Sequence, residues 1–191
     1  MKKKLKVAIT GGIGSGKSIV SKLIDEHGYT VLKADDIAKD LMRKDKSIKE
    51  KIIKAFGKDA YSGNVLNTKY LADNVFTKTE SVQKINSIIH PPTIKKIEEL
   101  SKEYFSEHNI IFVESALVFE SKIDKLYDFI ILVYSDEKTR IERVMQRDKV
   151  TELEVKRRME YQIPDEIKKE RADFVIENNT KQFQGKINPT G

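Results

Sequence analysis

Eight consecutive residues, Gly11-Gly12-Ile13-Gly14-Ser15-Gly16-Lys17-Ser18, fit the pattern G-x-x-x-x-G-K-[ST] at every fixed position. Each part has a physical use. Glycines let the chain turn tightly, so that successive backbone N–H groups point inward at an anion. A helix that follows adds its unpaired N-terminal N–H groups and the positive end of its dipole. Lys17 supplies a mobile charge for the outer phosphates of a nucleoside triphosphate, and the Ser18 hydroxyl is a ligand for Mg²⁺. A glycine-rich turn that merely carries a lysine needs no particular flanks. Here a β-rich run, Lys6-Val7-Ala8-Ile9-Thr10, precedes the loop, and a helical pattern follows it.

Other residues can complete a phosphoryl-transfer site. Asp35 stands just past a second β-rich run, residues 29–33, and the carboxyl edge of an open α/β sheet faces the ligand crevice. It can orient an acceptor hydroxyl and take its proton, or it can cap a helix, a role for which Asp36 competes. Glu114 ends a third run and reads either as a holder of Mg²⁺-bound water or as a surface carboxylate. Glu120, after Leu117-Val118-Phe119, reads either as facing the same crevice or as an ordinary surface residue. Arg140, Arg143 and Arg147 fall at i, i+3 and i+7 on one helix face. Such a face either clamps phosphate oxygens or is a solvated stripe paired with Glu137 and Glu142. From Arg147 to Gln162 the chain runs polar without a clear core face, which suits a lid that closes over ATP and excludes water.

Positioning these residues requires a sheet. Helical periodicity at Ile19, Val20, Leu23 and Ile24 ends at Gly28, and the runs 109–113, 129–134 and 174–176 read as further strands. Ser135-Asp136-Glu137 reads as a helix start, and Thr151 with Glu154 as a capping box. Strands alternating with helices predict an α/β fold with a parallel sheet covered on both faces. Residues 36–108 read as helical, broken at Gly57, at Ser62-Gly63-Asn64 and at Pro91-Pro92. They form a substrate-covering insert, so the core is 1–35 with 109–180 and the lid about 143–165.

Composition bounds the rest. With 191 residues, a net charge of +6, 35% charged residues and no cysteine, the chain reads as one cytoplasmic domain without disulfides or thiolate metal sites. Its scattered lysines alternate with glutamates, which argues against a nucleic-acid surface, and no apolar run approaches the roughly 20 residues of a membrane span. The lysine-rich start leads into too short an apolar stretch for a secretory signal. His27 and His108 read as helix-end residues, and no histidine pair has metal-site spacing.

The ordered set T-G-G-I-G-S-G-K-S (residues 10–18), A-D-x-I-A (34–38), H-P (90–91), L-V-F-E (117–120), R-V-M-Q-R-D (143–148), Gln162 and A-D-F-V-I-x-N (172–178) resembles dephospho-CoA kinase. The resemblance implies a three-layer P-loop kinase fold with a helical insert and a lid, and an Mg²⁺-assisted transfer of the ATP γ-phosphate to the ribose 3′-hydroxyl of dephospho-CoA. It makes Asp35, Lys17 and Arg143 catalytic, and it puts Asp35, His90, Leu117 and Glu120 on the substrate side. Arg147 and Asn178 would lie on the lid and adenine side, with the CoA-binding part in the insert. A related kinase acting on a nucleoside monophosphate or a hydroxy acid would share loop and lid. Several positions depart from the family: Lys33 replaces a usual Asp, Ile19 a Thr, Ala116 a Pro and Arg140 a Gln, and the tail lacks the usual long helix.

Overall fold

The computed structural model describes residues 3–63, 65–74, 79–179 and 186–189. The chain divides into two compact units, Met1–Lys33 with Glu103–Gly191, and Ala34–Lys102.

The first unit is built on a sheet. In chain order it contains β1 (Leu5–Thr10), α1 (Lys17–Glu26), β2 (Thr30–Lys33), β5 (Ile110–Glu114), β6 (Phe129–Tyr134), α6 (Glu137–Asp148), α7 (Glu152–Met159), α8 (Asp165–Arg171), β7 (Phe174–Glu177) and β8 (Lys186–Pro189). Strand order is β2-β5-β1-β6-β7-β8; the first five are parallel, and β8 pairs antiparallel with β7. Both faces are covered, which follows from the two-residue period of strands. Ala8, Ile130, Leu132 and Val175 enter one apolar cluster with Val118 and Phe119. Their neighbours Ile9, Ile131, Val133 and Ile176 enter the opposite cluster with Val20 and Ile24 of α1. The result is the three-layer α/β architecture that the alternation of strands and helices predicts. Because β1 is flanked by β5 on one side and β6 on the other, the loop after β1 leaves at the carboxyl ends of three parallel strands.

Two helix starts follow the sequence. Asp136 accepts from the Thr139 N–H at 2.8 Å, and Thr151 and Glu154 form the reciprocal capping box before α7. The backbone bonds around Asp136 hold its carboxyl below the usual range. His27 closes α1, its ring N–H donating to the Leu23 carbonyl at 2.7 Å.

The second unit holds α2 (Ala34–Lys44), α3 (Lys46–Phe56), a hairpin of β3 (Tyr61–Ser62) and β4 (Val65–Leu66), α4 (Thr68–Asn74) and α5 (Thr79–Tyr104) as far as Lys102. Ile48, Ile52, Leu71, Ile85 and Ile89 are its core. Asp45 caps α3 by accepting from the Ser47 and Ile48 N–H groups.

Four readings are corrected. First, Pro91 and Pro92 lie inside α5 and do not end it. Each proline costs about 3 kcal/mol in an unsupported helix. Burial offsets this: Ile85, Ile89 and Ile97 share a buried face with Thr93, and each buried isoleucine contributes about 1.5–3 kcal/mol. The Thr93 hydroxyl also donates to the Ile89 carbonyl at 2.8 Å. Second, the 36–108 stretch is not uniformly helical, since β3 and β4 pair across Gly63, which adopts φ 61°. Third, the segment after Arg147 has a core face after all. Val155 is fully buried against Ile141 and Val144, with Val150 and Met159 beside it. Two apolar residues one turn apart suffice for a two-turn helix. Fourth, α2 begins at Ala34, so Asp35 and Asp36 are first-turn residues and neither precedes the helix as a cap.

Candidate active site

The phosphate loop runs from Gly11 to Gly16, between β1 and α1, with Lys17 and Ser18 as the first residues of the helix. Gly16 opens α1 in the left-handed region, φ 94°, and no side chain caps the helix. No acidic residue sits in its first turn, which leaves the N–H groups and the dipole to an anion. The loop is packed so closely that side chains are excluded. A Cβ on Gly16 would lie 2.2 Å from Asn178 Nδ2, and one on Gly12 would lie 2.0 Å from Arg140 Nη1. The Lys17 ammonium donates to the Gly11 and Gly12 carbonyls at 2.8 and 3.2 Å, which holds the charge over the loop.

Three elements brace this loop. Directly after β7, Asn178 donates to the Ser15 carbonyl at 2.9 Å, and its own backbone carbonyl accepts from the Ser135 hydroxyl. From α6, Arg143 Nη1 donates to Ser135 Oγ at 3.0 Å and reaches the Gly14 carbonyl at 3.5 Å. From the segment after α7, Gln162 Oε1 accepts the Ile13 N–H at 2.8 Å. At the opposite rim, the Ser18 hydroxyl donates to Glu114 Oε1 at 3.1 Å. Glu114 lies in register with Ile9 of β1 and Lys33 of β2, so strand pairing sets its place.

Behind the loop runs a buried ionic chain. Arg140 pairs with Asp165 at 3.3 Å, Asp165 with Lys168 at 3.6 Å, and Lys168 with Glu120 at 2.8 Å. Two cations thus alternate with two anions.

A backbone loop with a mobile ammonium, an open helix N-terminus and a hydroxyl–carboxylate pair at the rim can bind a nucleotide's phosphates with a hard divalent cation. The family model for dephospho-CoA kinase matches residues 5–184. A Fusobacterium nucleatum dephospho-CoA kinase is 42% identical over 176 residues, 91% of this chain and 89% of the relative. The chain belongs to the dephospho-CoA kinase family. A Salinibacter ruber dephospho-CoA kinase is 38% identical over 91% of this chain and 88% of its own length. Among solved structures, the dephospho-CoA kinase from Campylobacter jejuni superimposes with a TM-score of 0.67 at 30% identity, covering 92% of this chain and 89% of that one. A Thermus thermophilus structure reaches 0.80 at 32% identity, covering 94% and 91%.

Against this dephospho-CoA kinase frame the expected residues divide. Lys17, Ser18, Arg143 and Asn178 meet at the loop, with Gly12, Ile13, Gly14, Ser15 and Gly16 forming it. Arg147 does not join them. Its side chain is 64% exposed and pairs with Asp148 at 2.7 Å, two turns along α6 from Arg140. The helix rises about 1.5 Å per residue, so residues sharing a face need not share a site. Asp148 also takes Arg158 at 2.8 Å, and the two guanidinium groups hold its carboxyl below the usual range. Glu120 is likewise no free crevice carboxylate, because Oε1 pairs with the Lys168 ammonium at 2.8 Å and accepts the Ile163 N–H at 3.0 Å. Asn178 is 2% exposed, its side-chain amide bonded to the loop. Leu117 lies half-buried in the turn after β5. In the second unit, Asp35 is exposed in the first turn of α2, and His90 is half-buried in α5. Burial pushes the His90 imidazole below its ordinary pKa, which favours the neutral ring.

Sequence reasoning missed the employment of Asp165, Lys168 and Ser135. Asp165 and Lys168 lie in a polar seven-residue helix, and nothing in its residue types separates a buried ionic chain from a solvated face.

Proposed function

We propose that the chain transfers the γ-phosphoryl group of ATP to the ribose 3′-hydroxyl of dephospho-CoA, yielding CoA and ADP. The observation that carries this reading is the intact, three-way braced phosphate loop in a chain that matches the dephospho-CoA kinase family over residues 5–184.

The loop's N–H groups and Lys17 take the β- and γ-phosphates, and Arg143 adds positive charge on the α6 side. The acceptor's 3′-oxygen attacks the γ-phosphorus, the bond from that phosphorus to the β–γ bridging oxygen breaks, and ADP leaves. Asp35, in the first turn of α2, orients the hydroxyl and accepts its proton. Ser18 and Glu114 suit Mg²⁺, since both offer hard oxygen and such ions keep several waters beside substrate phosphates. When bound, the ion neutralises charge on the β- and γ-oxygens. Among the described residues no group of three or more His, Cys, Asp or Glu forms a further metal cage.

Residues 34–102, with His90, serve the acceptor. Within residues 34–102 a cleft of about 670 Å³ is lined by Ile37, Leu41 and Leu100, with Lys44 and Lys96 interleaved with Asp36, Asp40 and Asp45. Among the described residues no helix is long and apolar enough to cross a membrane, and we assign the enzyme to the cytoplasm.

The test is ADP release with dephospho-CoA, compared with nucleoside monophosphates and shikimate-like hydroxy acids. Turnover with dephospho-CoA alone is expected. Turnover with another acceptor and none with dephospho-CoA would overturn the assignment.

A further inference from the structure

The phosphate loop consists largely of glycine, so little of its shape comes from its own side chains. Ile13 sits at its middle, directly before Gly14 in the left-handed region, φ 80°. Its N–H donates to Gln162 Oε1 at 2.8 Å. Gln162 is in turn held in place. Its neighbour Ile163 donates its N–H to Glu120 at 3.0 Å, and Asp165, three residues on, is locked to Arg140, whose guanidinium packs on Gly12. The stretch from Gln162 to Lys168 therefore grips the loop at Gly12 and Ile13, while Glu120 fastens it to the segment after β5.

The residue type is informative. Glutamate would offer the same acceptor atom but would set a negative charge beside a polyanion. Methionine would match the length without an acceptor. Glutamine alone gives a neutral carbonyl oxygen at that reach.

We propose that Gln162 is a positioning residue for phosphoryl transfer, which holds the Ile13 limb of the phosphate loop in its nucleotide-binding shape without opposing the phosphates' charge. The proposal rests on the reading of this loop as the ATP site. Gln162 acts through the backbone, so it is not itself a catalytic group.

The test uses the full chain with Gln162→Met and Gln162→Glu. Three quantities are read: hydrogen exchange of the Ile13 amide without nucleotide, ADP affinity by titration, and KM for ATP and for the acceptor. In Gln162→Met, Ile13 exchange accelerates, and the ADP Kd and ATP KM rise about 3- to 10-fold, the size of one lost neutral hydrogen bond. The KM for the acceptor stays unchanged, which a general loss of structure would not spare. In Gln162→Glu, Ile13 stays protected while nucleotide affinity still falls, separating the hydrogen bond from the charge. Wild-type Ile13 exchange and nucleotide affinity in Gln162→Met would overturn the proposal. So would Gln162→Glu binding ADP as tightly as wild type. ADP binding and exchange need no acceptor, so a wrong acceptor assignment would show as absent turnover with these two readouts intact.

Discussion

The Ser18 hydroxyl donates to Glu114 at 3.1 Å, joining the first turn of α1 to the carboxyl end of β5 across 96 residues of sequence. The contact puts a carboxylate beside the hydroxyl that the loop motif offers to a divalent cation. Removal of such an outer partner typically changes metal affinity by about 10- to 100-fold. Glu114→Gln is expected to raise the Mg²⁺ concentration for half-maximal activity by that order, at saturating ATP, with an unchanged melting temperature. An unaltered Mg²⁺ titration would remove Glu114 from the site.

Asp35→Asn keeps the size of the side chain and removes its basicity. We expect kcat to fall by roughly 10²–10⁴-fold while ATP affinity holds. Steady-state kinetics with equilibrium ADP binding separates the two, and near-normal turnover would refute the role of proton acceptor.

The ionic chain Arg140–Asp165–Lys168–Glu120 makes an asymmetric prediction about stability. Asp165→Ala leaves Arg140 buried without its carboxylate, and such a loss costs about 3–5 kcal/mol. Arg140→Gln removes the charge but keeps a polar side chain, and Asp165 keeps Lys168 at 3.6 Å, so the loss should be distinctly smaller. Urea unfolding of the two variants checks the order; equal losses would show that the charges are not acting as one chain.

His90 supplies a pH dependence. Burial in α5 sets its folded pKa below the ordinary value of about 6.5, so the unfolded chain binds the proton more readily. Its contribution is therefore fully present above about pH 6.5 and is lost as pH falls through the lower folded pKa. His90→Gln should flatten the stability–pH curve on that acid side, as measured by urea unfolding between about pH 5 and 8. A curve of unchanged slope would show that another group titrates there.

The phosphate loop was legible because its function needs residue types, not only neighbours. Glycines, Lys17 and Ser18 are consecutive, and the strand and helix beside them carry local periodicity. The same holds for the caps at Asp136 and Thr151, whose partners lie three residues away. Local pattern failed where burial outweighed propensity, as in the α5 prolines. It failed again where a short helix hid its core face, as at Val155.

The sequence by itself determined that residues 11–18 form a glycine-rich loop carrying Lys17 and Ser18 and that a parallel sheet presents it, since both follow from contiguous residues and short-range periods. Only the tertiary structure decided which distant side chains serve that loop. Arg143 reaches it and Arg147 does not, Glu120 is tied to Lys168, and Gln162 and Asn178 brace the loop from 149 and 163 residues away. The reason is physical. A hydrogen bond or a buried ion pair depends on a distance of about 3 Å between atoms, and residue type alone carries no information about that distance.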